Sequence, residues 1–186
     1  VDGCSRMTHT LQQNHGSAIM TVQAIKIIDP PETTTPSTIC SHVLQRKLCV
    51  LLLEPFQPIT TPAYAPPIGL LYLASNIRAQ LGEYANVHIV DMKLHNMPIS
   101  EIHHLLQKFN PDIVGFSALN YEAFACHELA LEIKTRSPNT ITTFGGPYAL
   151  KNAEKILEDS NIDWVFEGSA DRSFTEAIKC LAQNRL

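Results

Sequence analysis

No two cysteines of this chain stand at short spacing: Cys4, Cys40, Cys49, Cys126 and Cys180 are odd in number and widely separated. That pattern holds no zinc-type ligand cluster, and it argues against a disulfide framework in a chain that is 45% hydrophobic. Long apolar runs are missing as well. The longest, Cys49 to Leu53 and Ile68 to Ala74, fall far short of the roughly 18–20 residues of a membrane-spanning helix. The opening from Val1 to Met20 is polar and rich in His, Gln and Thr, so it lacks the apolar core of a secretory signal, and a cytoplasmic location is expected. There is no excess of positive charge: 14 Lys and Arg face 18 Asp and Glu, a formal net charge of -4, which gives little means of neutralising nucleic-acid phosphates. Neither Gly-x-Gly-x-x-Gly, nor a phosphate loop ending in Gly-Lys-Ser/Thr, nor a Gly-x-Ser-x-Gly nucleophile elbow occurs. The eight histidines are scattered, and the adjacent His103 and His104 on a predicted helix point in different directions, as solvated or structural residues do.

What is present is one domain's worth of alternating elements. Residues 1–46 carry no sustained periodicity and include the Pro/Thr stretch from Asp29 to Ser37, so they read as a disordered leader. The chain opens on Val1, with Met7 and Met20 inside the leader, as a fragment or an upstream-extended reading would. Over residues 47–186 charge-free runs predict strands at Leu48–Leu53, Val87–Val90, Ile113–Ser117, Ile141–Phe144 and Trp164–Phe166. Amphipathic segments predict helices at about 68–81, 99–108, 121–136, 149–158 and 172–182. Ser100 is expected to open the second, Gly82 to close the first, and Pro138 to follow the third. In the third helix Ala125, Leu129 and Ile133 form an inner stripe, with Glu122, Glu128, Glu132 and Lys134 expected outside. Five strand–helix units in succession imply an α/β fold: a doubly wound, five-stranded parallel sheet of flavodoxin-like (Rossmann-like) type. Ligands of such sheets sit beyond the carboxyl ends of the strands, so function is expected in the loops that follow them.

Those loops are rich in small and polar groups. The first strand leads into a proline-stiffened loop from Glu54 to Pro67. Asp91 follows the second strand, Ser117-Ala118-Leu119-Asn120 the third, Gly145-Gly146-Pro147-Tyr148 the fourth and Glu167-Gly168 the fifth. The glycine pair serves either turn geometry, through positive φ, or an open backbone surface for a flat ligand. Ser117 is either a helix-capping hydroxyl or a ligand contact.

Ser117-Ala118-Leu119, followed after 25 residues by Gly145-Gly146, resembles the Ser-x-Leu and Gly-Gly signatures of cobalamin-binding domains. Pro66-Pro67-Ile68-Gly69-Leu70-Leu71-Tyr72-Leu73-Ala74, Pro111-Asp112-Ile113-Val114-Gly115-Phe116-Ser117 and Phe144-Gly145-Gly146-Pro147 are similar to the same domain in cobalamin-dependent radical S-adenosylmethionine proteins, and the likeness runs over about residues 48–184. The resemblance implies a vitamin B12-binding domain in which the serine hydroxyl and glycine backbone surround the nucleotide tail of the corrinoid. Its implied contacts are Pro67, Gly69, Asp91, Ser117, Ala118, Leu119, Gly145, Gly146, Pro147, Glu167 and Gly168. The family also contains methyltransferases and cyclases whose iron–sulfur cluster and S-adenosylmethionine are held by a separate barrel. The Cys-x-x-x-Cys-x-x-Cys triplet of that barrel is absent from this chain. The chain alone is therefore expected to bind a corrinoid and not to catalyse, with the missing C-terminal barrel supplied in cis or in trans.

Two departures stand out. Where related methyltransferases and mutases carry Asp-x-His-x-x-Gly after the first strand, this chain has Phe56 at about the histidine position, so no lower ligand to cobalt is expected from that loop; His95 lies in the wrong loop. Near the end, only Glu167-Gly168 remains of a Gly-Glu-Gly-Glu pattern. A phospho-acceptor receiver shares the sheet order, but it needs acidic, Asp and Lys groups where this chain offers Glu54, Ser117 and Glu167. A ligand-free flavodoxin-like interaction module stays open as the alternative.

Overall fold

The computed structural model describes residues 25–28, 47–56 and 66–182. Strands are β1 (Ile25–Ile28), β2 (Leu48–Glu54), β3 (Ala85–Asp91), β4 (Ile113–Ser117), β5 (Ile141–Gly145) and β6 (Trp164–Glu167). Helices are α1 (Ile68–Leu81), α2 (Ile102–Phe109), α3 (Ala123–Arg136), α4 (Ala149–Ile156) and α5 (Asp171–Ala182). The sheet is parallel in every pairing, with the order β1-β6-β5-β4-β2-β3.

Strand β2 lies at the centre, paired with β3 on one side and β4 on the other. All its residues from Leu48 to Leu53 are buried except the half-buried Cys49, as a strand covered on both faces must be. Side chains alternate between two apolar layers. Leu51, Leu53, Val114, Phe116, Phe144 and Val165 pack with α2, α3 and α4 on one face. Leu48, Val50, Leu52, Trp164 and Phe166 pack with α1 and α5 on the other. The two helix layers make the fold doubly wound, and the chain reverses its direction of travel across the sheet between β2 and β4.

Helix ends follow local chemistry. Gly82 closes α1 at φ +50°, its N–H donating to the Arg78 carbonyl, and Asn110 closes α2 in the left-handed region at φ +43°. Ser100 opens no helix. Pro98 instead leads into a 3-10 turn over Ile99–Glu101 before α2 begins. Glu122, expected on the outer face of α3, is 2% exposed. Its carboxylate turns back to accept the Leu119 N–H at 2.8 Å, which satisfies a donor just ahead of the helix.

The expected five-stranded sheet gains a sixth strand. Ile25–Ile28, inside the stretch read as leader, pairs in parallel with β6 from Ile25 opposite Trp164 to Ile28 opposite Glu167. A four-residue Ile-Lys-Ile-Ile run is too short to declare a period, yet it suits the open edge of β6, whose main-chain groups otherwise lack a strand partner. The domain boundary placed at Lys47 therefore excludes one element of the sheet; the rest of the predicted leader, residues 57–65 and residues 183–186 lie outside the described residues. Among the described residues no helix is long and apolar enough to cross a membrane.

Candidate functional site

At the carboxyl edge of the sheet, where the strand order reverses, a cavity of about 300 Å³ opens between α1, α5 and the sheet. Alternation along the strands decides what faces it. Leu52 of β2, Gly115 and Ser117 of β4, Thr143 and Gly145 of β5, and Phe166 of β6 all lie along its wall, two residues apart within each strand. Helix α1 contributes Gly69 and Tyr72, and α5 contributes Phe174. A Cβ on Gly69 would meet no atom within 4 Å, so its backbone is open to close approach from the cavity side. The apolar walls therefore enclose only a few polar groups, as expected of a small-molecule site.

Ser117 stands at the end of β4, half-buried. Its hydroxyl has no hydrogen-bond partner among the described residues, so the capping role is not taken up, and α3 begins with no side-chain cap. The loops after β4 and β5 are tied together by main chain: the Ala118 N–H donates to the Gly145 carbonyl at 3.2 Å and the Tyr148 N–H to the Ala118 carbonyl at 3.0 Å. Between them sits Gly146 at φ +88°, where a Cβ would stand 2.8 Å from the Ala118 nitrogen and 2.9 Å from Ser117 Oγ. Its missing side chain makes room for the neighbouring loop, so turn geometry and close packing decide that position. Gly145 differs, because a Cβ there would meet only ordinary contacts, at 3.8 Å from the Phe116 carbonyl oxygen and 3.9 Å from that of Phe166.

A second polar group forms across β2, β3 and α3. Glu54 and Asp91 are in register on adjacent strands, and Asp91 accepts the Leu94 N–H at 2.8 Å. Lys93 Nζ approaches Glu122 Oε1 at 4.0 Å. Burial, followed by the charges of Glu122 and Asp91, pushes the Glu54 carboxyl up to about 7, with Lys93 opposing. Phe56, two residues on, packs partly buried against the α2–α4 core layer.

The structure thus gathers Gly69, Ser117, Gly145, Gly146 and Gly168 around the cavity. Pro67 precedes α1 and is not among the residues that line the cavity. Ala118 is buried as the tie between loops, while Leu119 is exposed beside them. Pro147 is exposed, Glu167 ends β6, and Asp91 belongs to the separate acidic group; none of these lines the cavity. Gly115, Thr143, Leu52, Phe166 and Phe174 line it without having been singled out from sequence. The readable signal among them was Gly115, a glycine inside a strand, which marks close approach or missing bulk.

A family model described as B12 binding domain matches residues 59–178. The chain is 31% identical over 121 residues to an uncharacterized methyltransferase of Pyrococcus horikoshii, an overlap of 64% of this chain and 26% of the relative. It is 25% identical over 124 residues to the anaerobic magnesium-protoporphyrin IX monomethyl ester cyclase of Rubrivivax gelatinosus, an overlap of 64% of this chain and 21% of the relative. The chain thus spans about a quarter of the length of these curated relatives. Among solved structures, the cobalamin-dependent S-adenosylmethionine radical enzyme OxsB, with aqua-cobalamin and S-adenosylmethionine bound, superposes with a TM-score of 0.64 at 17% identity, over 75% of this chain and 19% of that one.

Proposed function

The chain belongs to the B12-binding domain family, and from that premise we propose that its folded unit binds a corrinoid, cobalamin or a near relative, with the nucleotide tail in the cavity between α1, α5 and the sheet. The observation that carries this reading is the cavity itself: an apolar-walled cleft at the switch point, edged by glycine backbone, into which Ser117 and Thr143 present hydroxyls with no partner among the described residues. Leu52, Phe166 and Phe174 would give the base apolar walls, Gly69, Gly145 and Gly168 would let backbone approach it, and the Ser117 hydroxyl would be available to hydrogen-bond it. The sequence from Glu54 to Pro67 contains no histidine, so it gives the cobalt no imidazole; Phe56 packs on the core instead.

When bound, a corrinoid supplies cobalt-centred group-transfer or redox chemistry, and this chain's part is to hold and orient it. We assign the chain to the corrinoid-binding part of a longer cobalamin-dependent radical S-adenosylmethionine enzyme of methyltransferase or cyclase type. A barrel in cis or in trans would carry the iron–sulfur cluster and S-adenosylmethionine, because this sequence has no cysteine triplet to hold the cluster. Leu94, Leu119, Tyr121 and Phe124, all at least 41% exposed, fringe the carboxyl edge as an apolar surface suited to being covered. The test is equilibrium dialysis of the purified chain with cobalamin and with cobinamide, which lacks the nucleotide tail. Stoichiometric cobalamin binding with much weaker cobinamide binding is expected. Equal affinity for the two would remove the cavity from the site, and binding of neither by a folded protein would overturn the reading.

A further inference from the structure

We propose that Thr143 makes the cavity selective for corrinoids whose tail base presents a hydrogen-bonding edge at its buried end, a purine in preference to dimethylbenzimidazole; this rests on the corrinoid reading above. Thr143 stands in the middle of β5 and is 3% exposed. Its register neighbours are Gly115 on β4 and Trp164 on β6. The hydroxyl is turned to the glycine side, with Oγ1 3.1 Å from where a Cβ on Gly115 would stand, and both residues line the cavity. Leu52 Cδ2 stands 3.0 Å and Phe174 Cζ 3.8 Å from that same point, so Thr143 Oγ1 is packed among apolar atoms at the cavity floor with no hydrogen-bond partner among the described residues.

The other buried threonines all use their hydroxyls. Thr140 donates to the Pro111 carbonyl at 3.0 Å, Thr142 to the Asn161 carbonyl and to Asp163, and Thr175 to the Asp171 carbonyl at 2.8 Å. Thr143 has no such partner among the described residues. A buried hydroxyl left unpaired costs stability that a valine of the same shape would not, and in the middle of a buried parallel strand valine fits as well. The position carries a hydroxyl that no described residue satisfies and that a ligand in the cavity can pair with.

The place of that group points to the ligand's chemistry. Thr143 lies two residues, roughly 6–7 Å of strand, deeper than Gly145, among the apolar side chains of Leu52, Phe166 and Phe174. A tail base is tethered to its ribose and phosphate at the mouth, so the end remote from the glycosidic bond meets this floor. In dimethylbenzimidazole that end is hydrocarbon, because both ring nitrogens lie in the ring bonded to the ribose. In adenine the same end carries ring nitrogens and an exocyclic amine, to which a threonine hydroxyl can donate or from which it can accept. A site with one unpaired hydrogen-bonding group discriminates against a ligand that leaves it unpaired.

The experiment measures affinities of the full chain for adenine-tailed cobamide, cobalamin and cobinamide, in the wild type and in Thr143→Val, Thr143→Ser and Thr143→Ala. The wild type should bind the adenine-tailed form about fivefold more tightly than cobalamin. Thr143→Val should bring that ratio to about one with thermal stability kept or raised, and Thr143→Ser should retain the preference. Thr143→Ala removes the hydroxyl by a second route if the valine variant fails to fold. A wild-type preference for cobalamin, or a preference that survives in both the valine and alanine variants, overturns the inference while leaving corrinoid binding intact. Binding of no corrinoid, or of cobinamide as tightly as the tailed forms, removes the premise together with the inference.

Discussion

Replacing Gly146 with alanine should unfold the site before it blocks it. At φ +88° an L-residue is strained, by about 1–2 kcal/mol for a Cβ held in the left-handed region. The added Cβ would also stand 2.8 Å from the Ala118 nitrogen and 3.1 Å from its carbonyl oxygen. Both atoms are fixed by the hydrogen bonds that tie the β4 and β5 loops, so backbone must shift, at a further cost of about 1–3 kcal/mol. A total of about 2–5 kcal/mol, at roughly 3 °C per kcal/mol for a domain of this size, lowers the melting temperature by about 6–15 °C. The control is Gly145→Ala. Its Cβ meets nothing nearer than 3.8 Å and its φ is not positive, so the melt should move by no more than about 2 °C while the new methyl takes up cavity space. Thermal unfolding by circular dichroism, run beside corrinoid binding for both variants, separates the two glycines. An unchanged melt for Gly146→Ala would refute the reasoning, because it would show that the loop has room the geometry denies it.

Ser117→Ala should weaken corrinoid binding about fivefold, roughly 1 kcal/mol, without moving the melt, since its hydroxyl has no partner among the described residues to lose; unchanged affinity by equilibrium dialysis would take it out of the site. Glu54 binds its proton more tightly in the folded state, at about 7, than an ordinary carboxyl does, so stability should fall as pH rises from the ordinary carboxyl range through about 7. Glu54→Gln should therefore match the wild type at pH 4 and exceed it at pH 8 by no more than about 1 kcal/mol once solvent screening is allowed for; equal melts at both pH values would contradict the assignment. A chain beginning at Ala24 should keep the full melting temperature, whereas one beginning at Lys47 loses β1, bares the edge of β6, and should melt a few degrees lower or self-associate. Identical melts and monodisperse sedimentation for the two would remove β1 from the cooperative unit.

Much of this molecule was legible because its core strands are charge-free runs set between helices of clear period. Leu48–Leu53 and Ile113–Ser117 show in sequence the burial the sheet imposes, and the rule that ligands gather past the strand ends led to Ser117, Gly145 and Gly168. What escaped depended on which elements share a face. Thr143 reads as one more residue of a buried strand until α1 and α5 are known to cover the same side of the sheet, and only then does alternation aim it into the cavity. Asp91 follows a strand like the other loop residues, but β3 lies beyond β2, so its carboxylate joins Glu54 and Glu122. Glu122 has the spacing of an outward residue and is drawn inward by an unpaired N–H on Leu119. Strand β1 was hidden because four residues carry no period, and its partner β6 lies far along the chain.

The most direct test of the account is the electron paramagnetic resonance spectrum of the chain loaded with cob(II)alamin. With the tail base drawn into the cavity and no histidine between Glu54 and Pro67, the cobalt signal should carry no nitrogen hyperfine splitting. A nitrogen triplet abolished by replacing a single histidine would show an imidazole ligand from elsewhere in the chain. A triplet that survives every such replacement would show the base still on cobalt and the cavity empty, and either result would contradict the account.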